Sequence, residues 1–128
     1  MGFTTDYANT ILKNLVQSAY VALATAAPTA DSTGLTLAEP SGGGYERVAL
    51  NTTNGNFSAA ERVLTNGAYI YFPEATDSWG TITHMCFVTA ASGGSLRYFG
   101  ALNNAVAVAA NTVPLFKPGS INISLDAD

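Results

Sequence analysis

The chain has 128 residues and only 11% of them are charged, whereas charged residues make up about 25% of a typical soluble domain. Its net charge is −4 and its five cations are dispersed along the sequence, which argues against binding to the phosphate backbone of a nucleic acid. The length fits one domain. A polar but uncharged surface favours a subunit whose neighbours cover much of it.

The N-terminal segment predicts one amphipathic helix over about residues 5–15. Tyr7, Ile11, Leu12 and Leu15 recur at the spacing that places apolar side chains on one helix face. This stripe must pack either on the body of the chain or on a neighbouring subunit.

From residue 19 onward the pattern changes to short apolar runs separated by turn residues. The candidate strands are 20–24, 45–50, 63–65, 68–72, 81–89, 96–102, 106–108, 113–116 and 121–125. Eight or nine short strands at roughly ten-residue spacing predict an all-β fold, either a β-sandwich or a jelly roll, with one short N-terminal helix. We therefore predict a single domain over residues 1–128, in which the sandwich occupies about 19–126.

Long loops and tight turns separate these strands. Residues 26–44 predict a long loop ending in three consecutive glycines, Gly42 to Gly44, and loops of that length are usually functional or contact a partner. Asn54-Gly55 and Asn66-Gly67 indicate tight turns; the second separates two adjacent candidate strands.

Side chains that perform catalysis or bind metals are scarce. The chain has one histidine and one cysteine, His84 and Cys86, and a zinc site needs further ligands of this kind. No G-x-S-x-G motif supports a nucleophilic serine. A calcium site is a lesser alternative, because three carboxylates lie in predicted loops: Asp31, Glu39 and Asp77. No Ca²⁺-binding loop motif is present, however. We predict no catalytic residue, no cofactor and no metal.

Ordered sequence blocks resemble those of a group of small bacteriophage virion structural proteins, described as tail fibre-like or head decoration proteins. The blocks include 39–48 (EPSGGGYERV) and 79–84 (WGTITH), followed by 90–96 (AASGGSL), 98–102 (YFGAL) and 121–126 (INISLD), and they are specific in combination. The resemblance extends over nearly the whole chain. It implies a virion component and no catalytic residues.

Composition and resemblance together favour a capsid decoration (cement) protein that binds the outer shell as a homo-oligomer, expected to be a trimer. Its partners would be copies of itself and the major capsid protein or other virion proteins, with neither nucleic acid nor membrane. A tail-fibre or baseplate-associated subunit is the alternative, and a carbohydrate-binding module is the third hypothesis. We expect synthesis in the host cytoplasm and a final location in the virion, because residues 1–16 do not have the pattern of a signal peptide.

Four residues are candidates for the interaction site: Glu39, Tyr45, Arg47 and Trp79. All four belong to the blocks 39–48 and 79–84. Tyr45 and Trp79 lie near predicted loops, where aromatic rings could stack on a sugar. The alternative is that both are core or interface aromatics.

Overall fold

The structure is a computed structural model that describes residues 2–125, as one helix and nine strands within that range. The elements are α1 (Thr5–Leu15), β1 (Tyr20–Ala24), β2 (Val48–Ala49), β3 (Phe57–Ala60), β4 (Val63–Asn66), β5 (Ile70–Tyr71), β6 (Gly80–Val88), β7 (Leu96–Val108), β8 (Leu115–Phe116) and β9 (Asn122–Ser124). The predicted all-β sandwich with a single short N-terminal helix is confirmed. The predicted end of the sandwich, residue 126, lies outside the described residues.

Helix α1 begins after Thr4, whose hydroxyl accepts a hydrogen bond of 3.2 Å from the backbone N–H of Tyr7. Its buried face is centred on Ala8 and Leu12, whereas Tyr7 is 57% exposed. The bounds of the helix agree with the sequence prediction, but the buried stripe is rotated away from Tyr7. No helix of the described chain has the length and apolar character needed to cross a membrane.

Three antiparallel sheets surround one principal core. Their strand orders are β2-β1-β6-β7, β3-β4-β9 and β5-β8. The fully buried side chains of Leu64, Ile70 and Phe87 come from a different sheet each and belong to the same apolar cluster. The four-stranded sheet therefore forms one layer, and the two smaller sheets with α1 form the other.

The opposite face of the four-stranded sheet carries a second, smaller core of Ala22, Ala24, Cys86 and Val88, all fully buried. The loop of residues 26–44 covers this face. Small side chains let the loop lie close to the sheet, and the backbone N–H of Thr25 donates to Ala38 of the same loop. This long loop is thus part of the packed structure.

Strand β3 was not predicted from the sequence, because the turn that follows it has no recognisable signal. Ala60 pairs with Val63, so Glu61 and Arg62 form a two-residue turn, and both have positive φ, 53° and 65°. Asn-Gly is the usual sequence for such a turn. The predicted tight turn at Asn66-Gly67 does not form a hairpin, since β4 pairs with β3 and β9, and β5 pairs with β8.

The two predicted strands at 96–102 and 106–108 form one continuous strand, β7. Its pairing with β6 is irregular: Ile82 pairs with Val106 and His84 pairs with Ala101. Thr83 therefore lies opposite residues 102–105, which we call the β7 bulge. β7 is also an edge strand of its sheet.

Candidate interaction site

Arg47 is the centre of a side-chain cluster that joins two loops. Its side chain is only 4% exposed and forms a two-pronged ion pair with Glu39, in which Nη2 lies 2.6 Å from Oε1 and Nε lies 3.0 Å from Oε2. Parallel hydrogen bonds of this kind fix the geometry of both groups. The bonds to Glu39 also raise the pKa of Arg47, so its charge is permanent.

The remaining guanidinium N–H groups donate to backbone carbonyls. Nη1 donates to the carbonyls of Ala90 and Gly93, both at 2.8 Å, and Nη2 donates to that of Gly34 at 2.7 Å. A guanidinium has five N–H donors, and these bonds use all of them. Arg47 therefore ties the loop of residues 26–44 to the turn between β6 and β7 and retains no donor for a ligand.

Tyr45 extends the cluster toward the core. Its hydroxyl donates to Glu39 Oε2 at 2.5 Å and accepts a hydrogen bond of 3.0 Å from the backbone N–H of Leu23 in β1. Burial, together with the hydrogen bond to Glu39, raises the pKa of Tyr45. The neutral phenol thus links the ion pair to the four-stranded sheet.

Trp79 lies at the end of the cluster away from Arg47. Its indole N–H donates to the carbonyl of Gly43 at 2.8 Å, and its ring packs edge-on with Tyr45 and Phe72. Trp79 is 4% exposed, so it offers no open ring face to a sugar. A Cβ at Gly43 would lie 3.0 Å from the indole, and Gly43 has φ of +61°; both facts explain a glycine here.

The structure thus brings together all four residues predicted from the sequence. Contacts run from Arg47 through Glu39 and Tyr45 to Trp79. Within this cluster their contacts are intramolecular and fix the loop of residues 26–44. Their role in binding a partner stays a prediction.

Sequence reasoning missed the residues that complete the cluster. The missed residues act through their backbone carbonyls; they are Gly34, Ala90 and Gly93. Because every residue type has a backbone carbonyl, the sequence does not reveal which ones accept these hydrogen bonds. The closeness of Gly34 to Gly93 does have a consequence for the sequence, because a Cβ at Gly34 would lie 1.9 Å from the Gly93 oxygen. An open hollow of about 530 Å³ lies beside the cluster, and Leu35 is among its lining residues.

Raising the pH above about 9 is expected to lower the free energy of unfolding. Burial raises the pKa of Cys86 from 9.0 to about 12, and the pKa of Tyr45 also lies above its ordinary value of 10.0. The unfolded chain therefore loses these protons at lower pH than the folded chain, and stability falls as pH rises. Each group contributes at most about 1.4 kcal/mol per pH unit.

Urea unfolding between about pH 8 and pH 11 measures this dependence. Cys86→Ala should remove the part of the decline that begins near pH 9, the ordinary value of the thiol. Tyr45→Phe should remove the part that begins near pH 10, the ordinary value of the phenol. A wild-type stability that stays constant over this range would contradict the burial of both groups.

A family model described as Podophage GP4 fiber I protein gp80 matches residues 6–124. The chain belongs to the gp80 family. Members of the gp80 family are structural proteins of the phage particle, and the chain is therefore a bacteriophage virion structural protein. A search of curated proteins gave no match.

Membership of the gp80 family confirms the coarse part of the resemblance seen in the sequence, a phage virion structural protein of fibre-like type. The match includes the blocks 39–48 and 79–84. Within the structure, Glu39, Arg47 and Trp79 of these blocks form the hydrogen bonds that hold the cluster together. Whether the blocks themselves distinguish the family stays a prediction.

Proposed function

We propose that this gp80-family chain is a structural subunit of a podophage fibre, which acts by docking to copies of itself and to neighbouring virion proteins and performs no chemical step. The family match over residues 6–124, to a protein described as a fibre protein, carries the proposal. The match favours a tail-fibre or baseplate-associated subunit over a position on the capsid shell.

An uncharged surface supports a docking role. Residues 98–116 contain no charged side chain, although the whole chain has a net charge of −4. Within this segment Val106 is 51% exposed and Leu115 is 39% exposed. Leu115 pairs with Tyr71, which stacks on Tyr69 at 5.3 Å, and both tyrosines are exposed. Exposed apolar side chains that adjoin one another in this way mark protein interaction surfaces.

Capsid decoration remains the second candidate. The sequence has no heptad, solenoid or collagen-like repeat, so the chain does not encode an elongated shaft by itself. A small β-sandwich with little charge also suits a protein that clamps the shell. A homotrimer fits either position.

Counting and locating copies in the particle distinguishes the two candidates. We expect labelled protein on the fibres or tail, in a small number of copies relative to the major capsid protein. The measurement combines quantitative mass spectrometry of purified virions with electron microscopy of an epitope-tagged chain. Untagged virions are the control for labelling.

The decoration hypothesis predicts the opposite result. Hundreds of copies on the head, with added protein raising the heat resistance of expanded, DNA-free capsids, would replace the fibre proposal by decoration. Absence of the chain from purified particles would contradict both.

A further inference from the structure

The chain contains two chemically labile dipeptides, Asn54-Gly55 and Asn66-Gly67. Asparagine is thermolabile, because the backbone nitrogen of the next residue can attack the carbonyl carbon of its side chain. A following glycine has no Cβ to hinder this attack, whereas every other asparagine of the chain precedes a larger residue. The fold then decides which of the two dipeptides can react.

The side chain of Asn66 is enclosed and fully hydrogen-bonded. The residue is 1% exposed. Its Nδ2 donates to the carbonyls of Ala68 at 3.3 Å and Lys117 at 2.8 Å, and its Oδ1 accepts a hydrogen bond of 3.0 Å from the N–H of Ile121. The carboxamide must leave all three partners before it can react, and buried groups of this kind open only with much of the surrounding structure. The fold therefore protects Asn66.

Asn54 is held through its backbone alone. The residue is half-buried, its N–H donates to Oδ1 of Asn51 at 2.8 Å, and its carbonyl accepts from the N–H of Asn51 at 3.0 Å. Its carboxamide forms no hydrogen bond with any of residues 2–125. The side chain of Asn54 can therefore turn toward the Gly55 nitrogen without losing a partner in that part of the chain.

The attacking nitrogens themselves do not distinguish the two dipeptides. The Gly55 N–H donates to the carbonyl of Tyr69 at 3.0 Å, and the Gly67 N–H donates to that of Asn56 at 3.2 Å. Each nitrogen must leave its acceptor before it can attack. Tyr69 is 41% exposed, and a hydrogen bond of an exposed turn opens locally at a low free energy. The contacts of the two asparagine side chains therefore decide the relative rates.

The turn itself requires the glycine that makes Asn54 labile. Gly55 has φ of +89°, and a Cβ at this position would lie 2.9 Å from the ring of Phe57. Both facts exclude a larger residue that would shield the backbone nitrogen. The labile dipeptide is thus a consequence of how this turn packs on the start of β3.

We propose that Asn54 is a site of spontaneous deamidation in the folded chain. The Gly55 nitrogen forms a bond to the side-chain carbonyl carbon of Asn54, and the side-chain nitrogen leaves as ammonia with the proton that Gly55 loses. Water then opens the cyclic imide at one of its two carbonyls and leaves aspartate or isoaspartate. The net charge changes from −4 to −5. This inference goes beyond the proposed function and does not depend on it.

Tryptic peptide mapping of the purified full chain tests the proposal. Cleavage after Arg47, Arg62 and Arg97 places the two dipeptides in separate peptides, 48–62 and 63–97. After incubation at mildly alkaline pH, we expect the first peptide to gain the mass of exchanging NH₂ for OH, at Asn54. The second, whose only asparagine is Asn66, should react at least about a hundredfold more slowly, because three hydrogen bonds protect it. An unincubated sample is the control for changes during digestion.

Unfolding and a matched variant separate the effect of the fold from that of the sequence. In concentrated urea both peptides should react at similar rates. Asn54→Gln places the side-chain carbonyl one bond farther from the backbone nitrogen, so peptide 48–62 should stay unmodified. Equal rates for the two peptides of the folded chain, an unmodified wild-type peptide 48–62, or a modification at Asn51 or Asn56 instead would overturn the proposal. Protection of peptide 63–97 that persists in urea would overturn the role given to the fold.

Discussion

Replacing Arg47 with methionine is expected to lower the free energy of unfolding by about 3–5 kcal/mol, the usual effect of removing one partner of a buried ion pair. The variant leaves the Glu39 carboxylate, whose side chain is 18% exposed, without its counter-charge. The carbonyls of Gly34, Ala90 and Gly93 lose their donor as well. Urea unfolding followed by circular dichroism near neutral pH measures the loss.

Arg97→Met is the matched control for this variant. Arg97 Nη1 also donates to backbone carbonyls, those of Asn14, Leu15 and Gln17 at the end of α1, but the residue is exposed. Exposed polar contacts contribute little, and we expect a loss below about 1 kcal/mol. Similar losses for the two arginine variants would contradict the role given to burial.

A double variant separates the ion pair from the carbonyl contacts. When Glu39→Leu is combined with Arg47→Met, no charge remains buried without a partner, so the double variant should be more stable than Arg47→Met alone. A double variant less stable than Arg47→Met would mean that the buried Glu39 charge is not the main cause of the loss.

Gly34→Ala is expected to lower the free energy of unfolding by about 1–3 kcal/mol, the range for forcing an extra methyl group into a packed site. The added Cβ would lie 1.9 Å from the carbonyl oxygen of Gly93, a backbone atom that cannot rotate away. The loop of residues 26–44 must therefore move, and the hydrogen bond from Arg47 to the Gly34 carbonyl lengthens or breaks. Thermal unfolding measures the effect.

Gly67→Ala is the control for glycine replacement as such. Neither Gly34 nor Gly67 has positive φ, and a Cβ at Gly67 would lie 3.1 Å from the Asn56 oxygen, so we expect a loss below about 1 kcal/mol. If Gly34→Ala is as stable as the wild type, the close approach of the two loops is wrong.

The spacing of apolar residues predicted those elements whose own residues alternate or repeat regularly along the sequence. The bounds of α1 and β1 follow from apolar spacing alone. β2 is much shorter than the predicted strand over 45–50, because Tyr45 and Arg47 lie outside it and bind loop groups. The local pattern of alternating residues could not reveal these long-range contacts.

The site was predictable in its side chains but not in its geometry. The block at 39–48 singled out Glu39, Tyr45 and Arg47, and the structure places their polar ends on one another. The sequence could not show that the cluster is directed inward, since that depends on carbonyls more than forty residues away at Ala90 and Gly93. The decoration role and the trimer stay predictions.

The β7 bulge interrupts the outer edge of the four-stranded sheet. A thirteen-residue edge strand with one charged residue, Arg97, and no proline would ordinarily recruit further strands and grow into amyloid-like sheets. With residues 102–105 opposite Thr83, the outer edge is divided into two short stretches that no straight strand can follow. Leu102 and Val106, at the ends of this irregularity, line a small apolar groove beside β8. The outer edge of β7 therefore presents two short runs of backbone groups, separated by the side chains of the bulge, rather than one continuous row of hydrogen-bonding groups.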